Sequence, residues 1–462
     1  MRVLDPGAGV GMLSAALCER LMTESSKRDV YFELWEADPA LKSILKETME
    51  FCKRALHSKG HRLDYVIRIE DFIIANSQRS LFDTGPTPAF TFAILNPPYY
   101  KLRKDSPYAK AMTHVVHGQP NIYSLFMAVA ADLLVKGGQF VAITPRSYFN
   151  GPYFKRFRKW FFDRMTVRKI HLFDSRNDAF RDDAVLQENV ILLAERESTR
   201  NEVVLTSSEG RDLGALRQCA IPYQSVIADS AGDHVVRVTT NQVDHDLIEA
   251  LDRLPDRLRS LDFEISTGPV VTFRATEFLR DIRSRDTAPL LWMHNVRPFL
   301  TQFPEKNGKS PHIAVNADSK RLLVPAKRYV LLKRFTAKEE KRRLVAGIVE
   351  PDDSYSDWVG LENHLNYVYR KRADLTKPEA WGLAAYFNSS FVDRYFRAVS
   401  GNTQVNAAEI RALPLPDKKT ISRIGLEIEK SRDSSSSQVD FIVGRALHLQ
   451  DGLINELKEC VQ

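Results

Sequence analysis

Short apolar runs of strand length alternate with longer stretches of helical period from the first residue to about residue 197. The runs at 1–4, 30–35, 65–70, 90–95, 139–144, 167–173 and 189–194 read as strands. Between them, 12–22 is apolar at helical spacing, a helix is expected to start at Pro39, 121–136 reads as an amphipathic helix, and 151–165 reads as another. This alternation predicts a doubly wound parallel α/β sheet, in which the loops after strands one and four lie side by side where the strand order reverses. Residues 100–119 form a long polar loop with Lys101, Arg103, Lys104, His114 and His117, expected to order around a substrate. From 198 the pattern loosens, and 198–260 is expected to be a connecting region. Short strand-like runs at 266–269, 290–296 and 329–334 then mark a second domain of mixed α+β type over 261–420. Helical patterns follow at 381–399 and 420–430. A flexible joint, Ser434 to Ser437, leads to a last helix at 439–458, so 421–462 reads as a helical tail. No internal repeat is present.

Two loops interrupt this pattern with residues suited to chemistry. The first is Asp5-Pro6-Gly7-Ala8-Gly9-Val10-Gly11, between the first strand and the first helix. Glycines at alternating positions permit a sharp turn and a close ligand approach, and the following helix start offers free N–H groups. The second strand closes on Glu36, where a carboxylate can hold both hydroxyls of a ribose. Asp38 is the alternative acid, though the following Pro39 suits it to capping a helix. The third strand ends at Asp71-Phe72, an acceptor for an adenine amino group beside a ring that can lie over the base. The second loop, Asn96-Pro97-Pro98-Tyr99, follows the fourth strand directly. Its prolines hold the backbone extended, so the Asn96 side chain and the Pro97 carbonyl offer two acceptors next to the Tyr99 ring. Two acceptors and an aromatic plane match the amino group of a flat heterocycle.

In that order, the glycine loop and the Asn-Pro-Pro-Tyr tetrapeptide resemble the S-adenosyl-L-methionine-dependent N6-adenine DNA methyltransferases of the gamma class, from bacterial restriction-modification systems. Further stretches at 137–149, 180–190 and 386–416 are similar to the same enzymes. The resemblance implies a seven-stranded Rossmann-like methyltransferase sheet over 1–197, with cofactor contacts at Asp5, Gly7, Gly9, Gly11, Glu36, Asp71 and Phe72. It implies target-base contacts at Asn96, Pro97, Pro98 and Tyr99, and a phenylalanine packed on a base flipped out of the duplex, for which Phe180 is the first choice and Phe173 the second. Enzymes of this class carry a helical segment before the glycine loop. This chain starts inside the first strand, so the expectation is a cofactor pocket lacking one wall.

Composition adds location and partner. A 462-residue chain with 44% hydrophobic residues holds two or three globular domains. No apolar run reaches membrane-spanning length and the start is no signal peptide, so a cytoplasmic protein without a membrane partner is expected. Cys18, Cys52, Cys219 and Cys460 lack metal-ligand spacing and are expected to be reduced, with no metal site. The formal charge of +7 is unevenly placed. Basic clusters between Lys320 and Arg372, interleaved with aromatics, make 261–420 the expected target-recognition domain for double-stranded DNA, with Lys333, Arg334, Arg342 and Arg343 as its contacts. A monomer is expected, working beside a cognate restriction endonuclease. Methylation of a glutamine amide or of an RNA base, and DNA binding without turnover, are the competing readings.

Overall fold

The computed structural model describes residues 1–77, 89–116, 118–173, 189–208, 216–230, 233–239, 242–305, 307–336, 340–350, 357–399, 404–431 and 433–449. The chain forms two compact units, 1–240 and 241–462.

The first unit is built on one sheet of nine strands: β1 (Arg2–Pro6), β2 (Asp29–Glu36), β3 (Arg62–Ile69), β4 (Phe90–Leu95), β5 (Leu134–Pro145), β6 (Met165–Phe173), β7 (Asn189–Arg196), β8 (Glu202–Ser208) and β9 (Arg217–Pro222). Their spatial order is β3-β2-β1-β4-β5-β7-β6-β8-β9. Strands β3, β2, β1, β4 and β5 are parallel to their neighbours, and β7 enters antiparallel between β5 and β6. Strand β1 is buried on both faces. Val3 packs with Cys18 and Leu21 of α1 (Met12–Met22) and with Leu45, Met49 and Leu56 of α2 (Lys42–Ser58). Leu4 packs on the opposite side with Ile73 of α3 (Phe72–Ser77) and residues of α5 (Ile122–Leu133) and α6 (Lys155–Arg164). Between α3 and α5 the short helix α4 (Pro107–Ala111) is capped by Ser106, whose hydroxyl accepts from the Ala109 N–H. Each large apolar side chain buried in such a two-sided core contributes roughly 1.5–3 kcal/mol.

Several sequence expectations change here. The sheet has nine strands rather than seven, because 202–222 adds β8 parallel to β6 and β9 antiparallel to β8. The region expected to be a connection thus supplies core: Val203, Leu205 and Ile221 are buried. The unit boundary falls at 240, not 197. Helix α5 is buried all round rather than amphipathic, since the sheet covers one side of it and α3 and α6 cover others. The polar loop after β4 is anchored by Leu102, Met112, Val115 and Val116, which join the core, while Lys101, Arg103 and Lys104 stay exposed. His117 lies outside the described residues.

The second unit carries a four-stranded sheet in the order Glu264–Thr267, Leu365–Tyr369, Tyr329–Lys333, Ala346–Val349. A five-stranded sheet runs in the order Leu279–Arg280, His312–Ala314, Thr287–Leu291, Trp358–Leu361, Leu323–Pro325. The helical pattern at 381–399 is two helices, Lys377–Asn388 and Ser390–Val399, parted at Ser389, whose extended ψ of 146° ends the first. Helix Lys418–Ser431 is part of this unit's core, not of a separate tail: Ile421, Ile424 and Ile428 pack with Leu383 and Phe387. The last described helix is Ser436–Ala446, earlier than expected, and the remainder of 439–458 beyond 449 lies outside the described residues.

Candidate active site

Strand β1 pairs with β4 in parallel register, Val3 against Phe92 and Leu4 against Ala93. The glycine loop and the Asn-Pro-Pro-Tyr loop therefore leave the same edge of the sheet from adjacent strands. With β2 and β3 lying on one side of β1 and β4 on the other, this is the reversal of strand order where open α/β sheets form their ligand crevice.

The glycine loop is fastened to β2. The N–H groups of Gly7 and Ala8 both donate to the Trp35 carbonyl at 2.8 Å, and the Gly9 N–H donates to Glu36 Oε2 at 2.8 Å. Glu36 Oε1 accepts from the Asp38 N–H, also at 2.8 Å, so one carboxylate joins the loop to the end of β2. Gly9 has φ of 57°, and a Cβ added there would meet no atom within 4 Å, so the loop backbone is open on that side. Asp38 caps the turn that follows, its Oδ1 accepting from the Ala40 N–H at 2.9 Å, which leaves Glu36 as the acid at the strand end. Helix α1 starts without a side-chain cap.

Asp5 is 1% exposed, and its Oδ2 accepts from the Ser14 hydroxyl at 2.5 Å. Burial pushes its carboxyl up to about 7; the nearby Glu36 adds to this, and the Ser14 hydrogen bond opposes it. Asp71 caps α3, with Oδ1 accepting from the Ile74 N–H at 2.9 Å and Oδ2 accepting from the Tyr108 hydroxyl at 2.6 Å. That bond to Asp71, with burial second, pushes the Tyr108 hydroxyl up to about 12. Phe72 is not an open face. It is 3% exposed, stacked on Phe126 at 5.5 Å and edge-on to Trp35 at 5.7 Å.

Across the crevice, Asn96 and Pro98 are exposed, Pro97 is buried and Tyr99 is half-buried. The Tyr99 hydroxyl lies 2.8 Å from Asn96 Oδ1 and 2.9 Å from the Ile143 carbonyl, so its one proton reaches either acceptor. Its ring stands edge-on to Tyr123 at 6.2 Å, and Tyr123 is held by Ser147 at 2.8 Å. Phe173 ends β6, edge-on to His171 at 4.8 Å; Phe180 lies outside the described residues.

Sequence reasoning missed Ser14, Tyr108 and Phe126. Phe126 is carried by α5, and its ring is 3.6 Å from where a Cβ on Gly7 would be, so it underlies the glycine loop. No local signal marks it among the apolar residues of that helix. Tyr108 was findable only as an aromatic after a Ser-Pro helix start.

In the second unit, Lys333 and Arg334 are half-buried at the end of a strand, and Arg334 donates to the Asn363 carbonyl at 3.1 Å. Arg342 and Arg343 are different. Arg342 hydrogen-bonds the Asn388 carbonyl and the Ser436 hydroxyl. Arg343 is 2% exposed, with its guanidinium 5.9 Å from the Phe396 ring and its backbone N–H on Asp393 at 2.6 Å. A guanidinium sealed in the core cannot reach a duplex, which makes Arg343 a structural residue, while Arg342 is half-buried and ties Asn388 to Ser436. Among the described residues no group of His, Cys, Asp and Glu is placed to hold a metal ion, and no helix is long and apolar enough to cross a membrane.

A doubly wound sheet whose glycine loop, strand-end acids and Asn-Pro-Pro-Tyr loop meet at one edge describes a class, the methyltransferases. Residues 23–180 match the family described as Eco57I restriction-modification methylase. The chain is 36% identical over 430 residues to the type II methyltransferase M.BsuBI of Bacillus subtilis, covering 92% of this chain and 84% of that protein. It is 34% identical over 451 residues to the type II methyltransferase M.PstI of Providencia stuartii, covering 97% and 88%. The fold is similar to that of the type IIL restriction-modification enzyme MmeI, with a TM-score of 0.56 at 12% identity over 100% of this chain and 69% of that one. The protein belongs to the type II methyltransferases of restriction-modification systems.

Proposed function

We propose that the protein methylates N6 of adenine in double-stranded DNA, with S-adenosyl-L-methionine as donor, as the modification enzyme of a restriction-modification system. The carrying observation is the β1–β4 pairing, which brings the open glycine loop and Asn96 to one sheet edge. The residues present fit the cofactor: the loop backbone is open at Gly9, the uncapped start of α1 suits a carboxylate, and Glu36 stands at the strand end for the ribose. When bound, the cofactor supplies an electrophilic methyl group on a sulfonium.

The chain's own residues do the rest. The lone pair of an adenine amino nitrogen is delocalised into the ring, which makes it a poor nucleophile. Asn96 Oδ1 and the Pro97 carbonyl accept its two N–H groups, direct electron density outward and support the positive charge that develops there. Rotating the base out of the duplex costs a few kcal/mol, and stacking on Tyr99 returns roughly 1–3 kcal/mol of it. Asp71, held by Tyr108, is the acceptor for the cofactor's adenine. The Tyr99 hydroxyl holds Asn96 Oδ1 until a base replaces it. A monomer in the cytoplasm, with a cognate endonuclease as companion, belongs to the same reading.

Sequencing that detects N6-methyladenine in DNA from a host expressing the protein tests this. A recurrent methylated motif is expected with the wild type and none with Asn96→Ala, since losing one charge-directing acceptor lowers turnover by about a hundredfold or more. Unmethylated DNA with the wild type, or an undiminished motif with Asn96→Ala, sinks the proposal.

A further inference from the structure

Several cations of the second unit are matched to acids inside it. Lys371 lies 3.3 Å from Glu264, Arg370 2.8 Å from Glu379, Arg394 3.0 Å from Asp244 and Lys327 3.3 Å from Asp374. One face gathers cations that are not so matched: Lys309 and Lys333 both act on His294, and Lys309 and Arg334 both act on Glu362. The Glu362 N–H donates to the Leu291 carbonyl at 3.0 Å, which lays the 362–364 turn beside Trp292, and the Arg334 N–H donates to the His364 carbonyl at 2.9 Å. Three stretches distant in sequence thereby share a surface. Lys309 is exposed, its ammonium 4.4 Å from the centre of the Trp292 ring rather than on a carboxylate. Lys333 is half-buried, and among the described residues no carboxylate lies within ion-pair distance of it. Phe335 is 37% exposed and stands edge-on to His364 at 4.6 Å. Of the acids nearby, Glu305 is engaged with Arg297 at 2.9 Å and Glu362, 1% exposed on its side chain, with His364 at 2.8 Å, while the exposed Glu340 acts on Lys333 from a greater distance.

The geometry points to this face, centred on Lys309, Lys333 and Arg334, as the surface that grips the sugar–phosphate backbone of duplex DNA, with Lys309 and Lys333 as phosphate contacts. It rests on the DNA-methylating reading above and replaces the Arg342–Arg343 stretch as the place of contact. The physical argument is one of missing counter-charge. Burial, and Arg297 after it, hold the Lys333 ammonium below its ordinary value; Glu340 and Glu305 oppose this only in part, so the folded protein carries a partly desolvated cation whose counter-charge is incomplete. A phosphate completes it. Lysine is suited to the task as a point charge, and the exposed Phe335 ring gives apolar ground beside it.

The test is titration of the full-length protein into a labelled duplex of random sequence across a salt series, for wild type, Lys309→Gln, Lys333→Gln, Lys333→Arg and Lys430→Gln, an exposed lysine elsewhere in the unit. Each contact lysine, once neutralised, is expected to lower affinity severalfold and reduce the slope of log affinity against log salt by about one unit. Lys333→Arg and Lys430→Gln are expected to keep the wild-type slope. Transfer of labelled methyl to the same duplex by the wild type, together with unchanged slopes for both Gln variants, overturns this surface and leaves the methyltransferase reading standing. Failure of the wild type to bind duplex DNA, or tighter binding of an RNA duplex, overturns both.

Discussion

At Asp5 a carboxyl group at the root of the glycine loop is sealed from water, with the Ser14 hydroxyl on one oxygen and Glu36 near by. Its pH behaviour follows. In the unfolded chain an aspartate ionises near pH 4, whereas burial holds this one protonated up to about 7. Between those values the native state binds the extra proton, so this group makes stability fall as pH rises from about 4 to 7, after which its penalty is constant. A displacement of about three pKa units corresponds to roughly 4 kcal/mol. Asp5→Asn keeps an acceptor for Ser14 and removes the titration. Its unfolding free energy relative to the wild type, measured by urea denaturation without cofactor, should grow by about that amount across the window. A difference independent of pH would show that Asp5 ionises normally. Tyr99 teaches a second lesson at this scale. Its ring was legible as a stacking face, but the two acceptors within reach of its hydroxyl were not, because the Ile143 carbonyl comes from another strand.

Helix packing in the second unit turns on positions that carry no side chain. A Cβ on Gly382 would sit 1.9 Å from the Ile421 carbonyl, and one on Gly425 would sit 1.9 Å from the Pro378 carbonyl. Helices Lys377–Asn388 and Lys418–Ser431 therefore cross with their backbones in contact. Glycine inside a helix is unfavourable by about 1 kcal/mol relative to alanine, so propensity alone predicts that Gly382→Ala stabilises. The clash with a backbone atom is larger, and overpacking of this kind costs about 1–3 kcal/mol or more. Gly382→Ala should accordingly lower the thermal midpoint by several degrees, and a raised midpoint would mean that the crossing is looser than described. The same close approach explains why 421–462 read as a separate tail. Its apolar period was visible, but not the helix it packs against.

For the whole molecule, the point at issue is where the methyltransferase unit ends. Strands β8 and β9 extend the sheet beyond β6 and bury Val203, Leu205 and Ile221. Arg158, fully buried in α6, pairs with Asp233 through two hydrogen bonds of 2.8 and 2.7 Å. Cutting after residue 197 would expose the β6 edge and leave that guanidinium buried and unpaired, a loss of about 3–5 kcal/mol from the ion pair alone. A fragment ending at 197 should be insoluble or lack a cooperative unfolding transition, whereas one ending at 240 should unfold cooperatively. A cooperative transition from the shorter fragment would restore the earlier boundary.

The sequence alone determined the elements around the crevice. Strand β4 begins and ends where its apolar run does, the glycine loop and the Asn-Pro-Pro-Tyr loop stand at strand ends, and Asp38 caps rather than faces the pocket, because all of these are set by local backbone chemistry and period. Only the tertiary structure decided the partners of β8 and β9, the complete burial of α5 with Phe126 under Gly7, the grip of Tyr108 on Asp71, and the split of the basic residues into buried struts such as Arg343 and exposed cations such as Lys309. A charge or an apolar side chain looks the same in sequence whether it faces solvent or core, and which it faces depends on contacts between segments far apart along the chain.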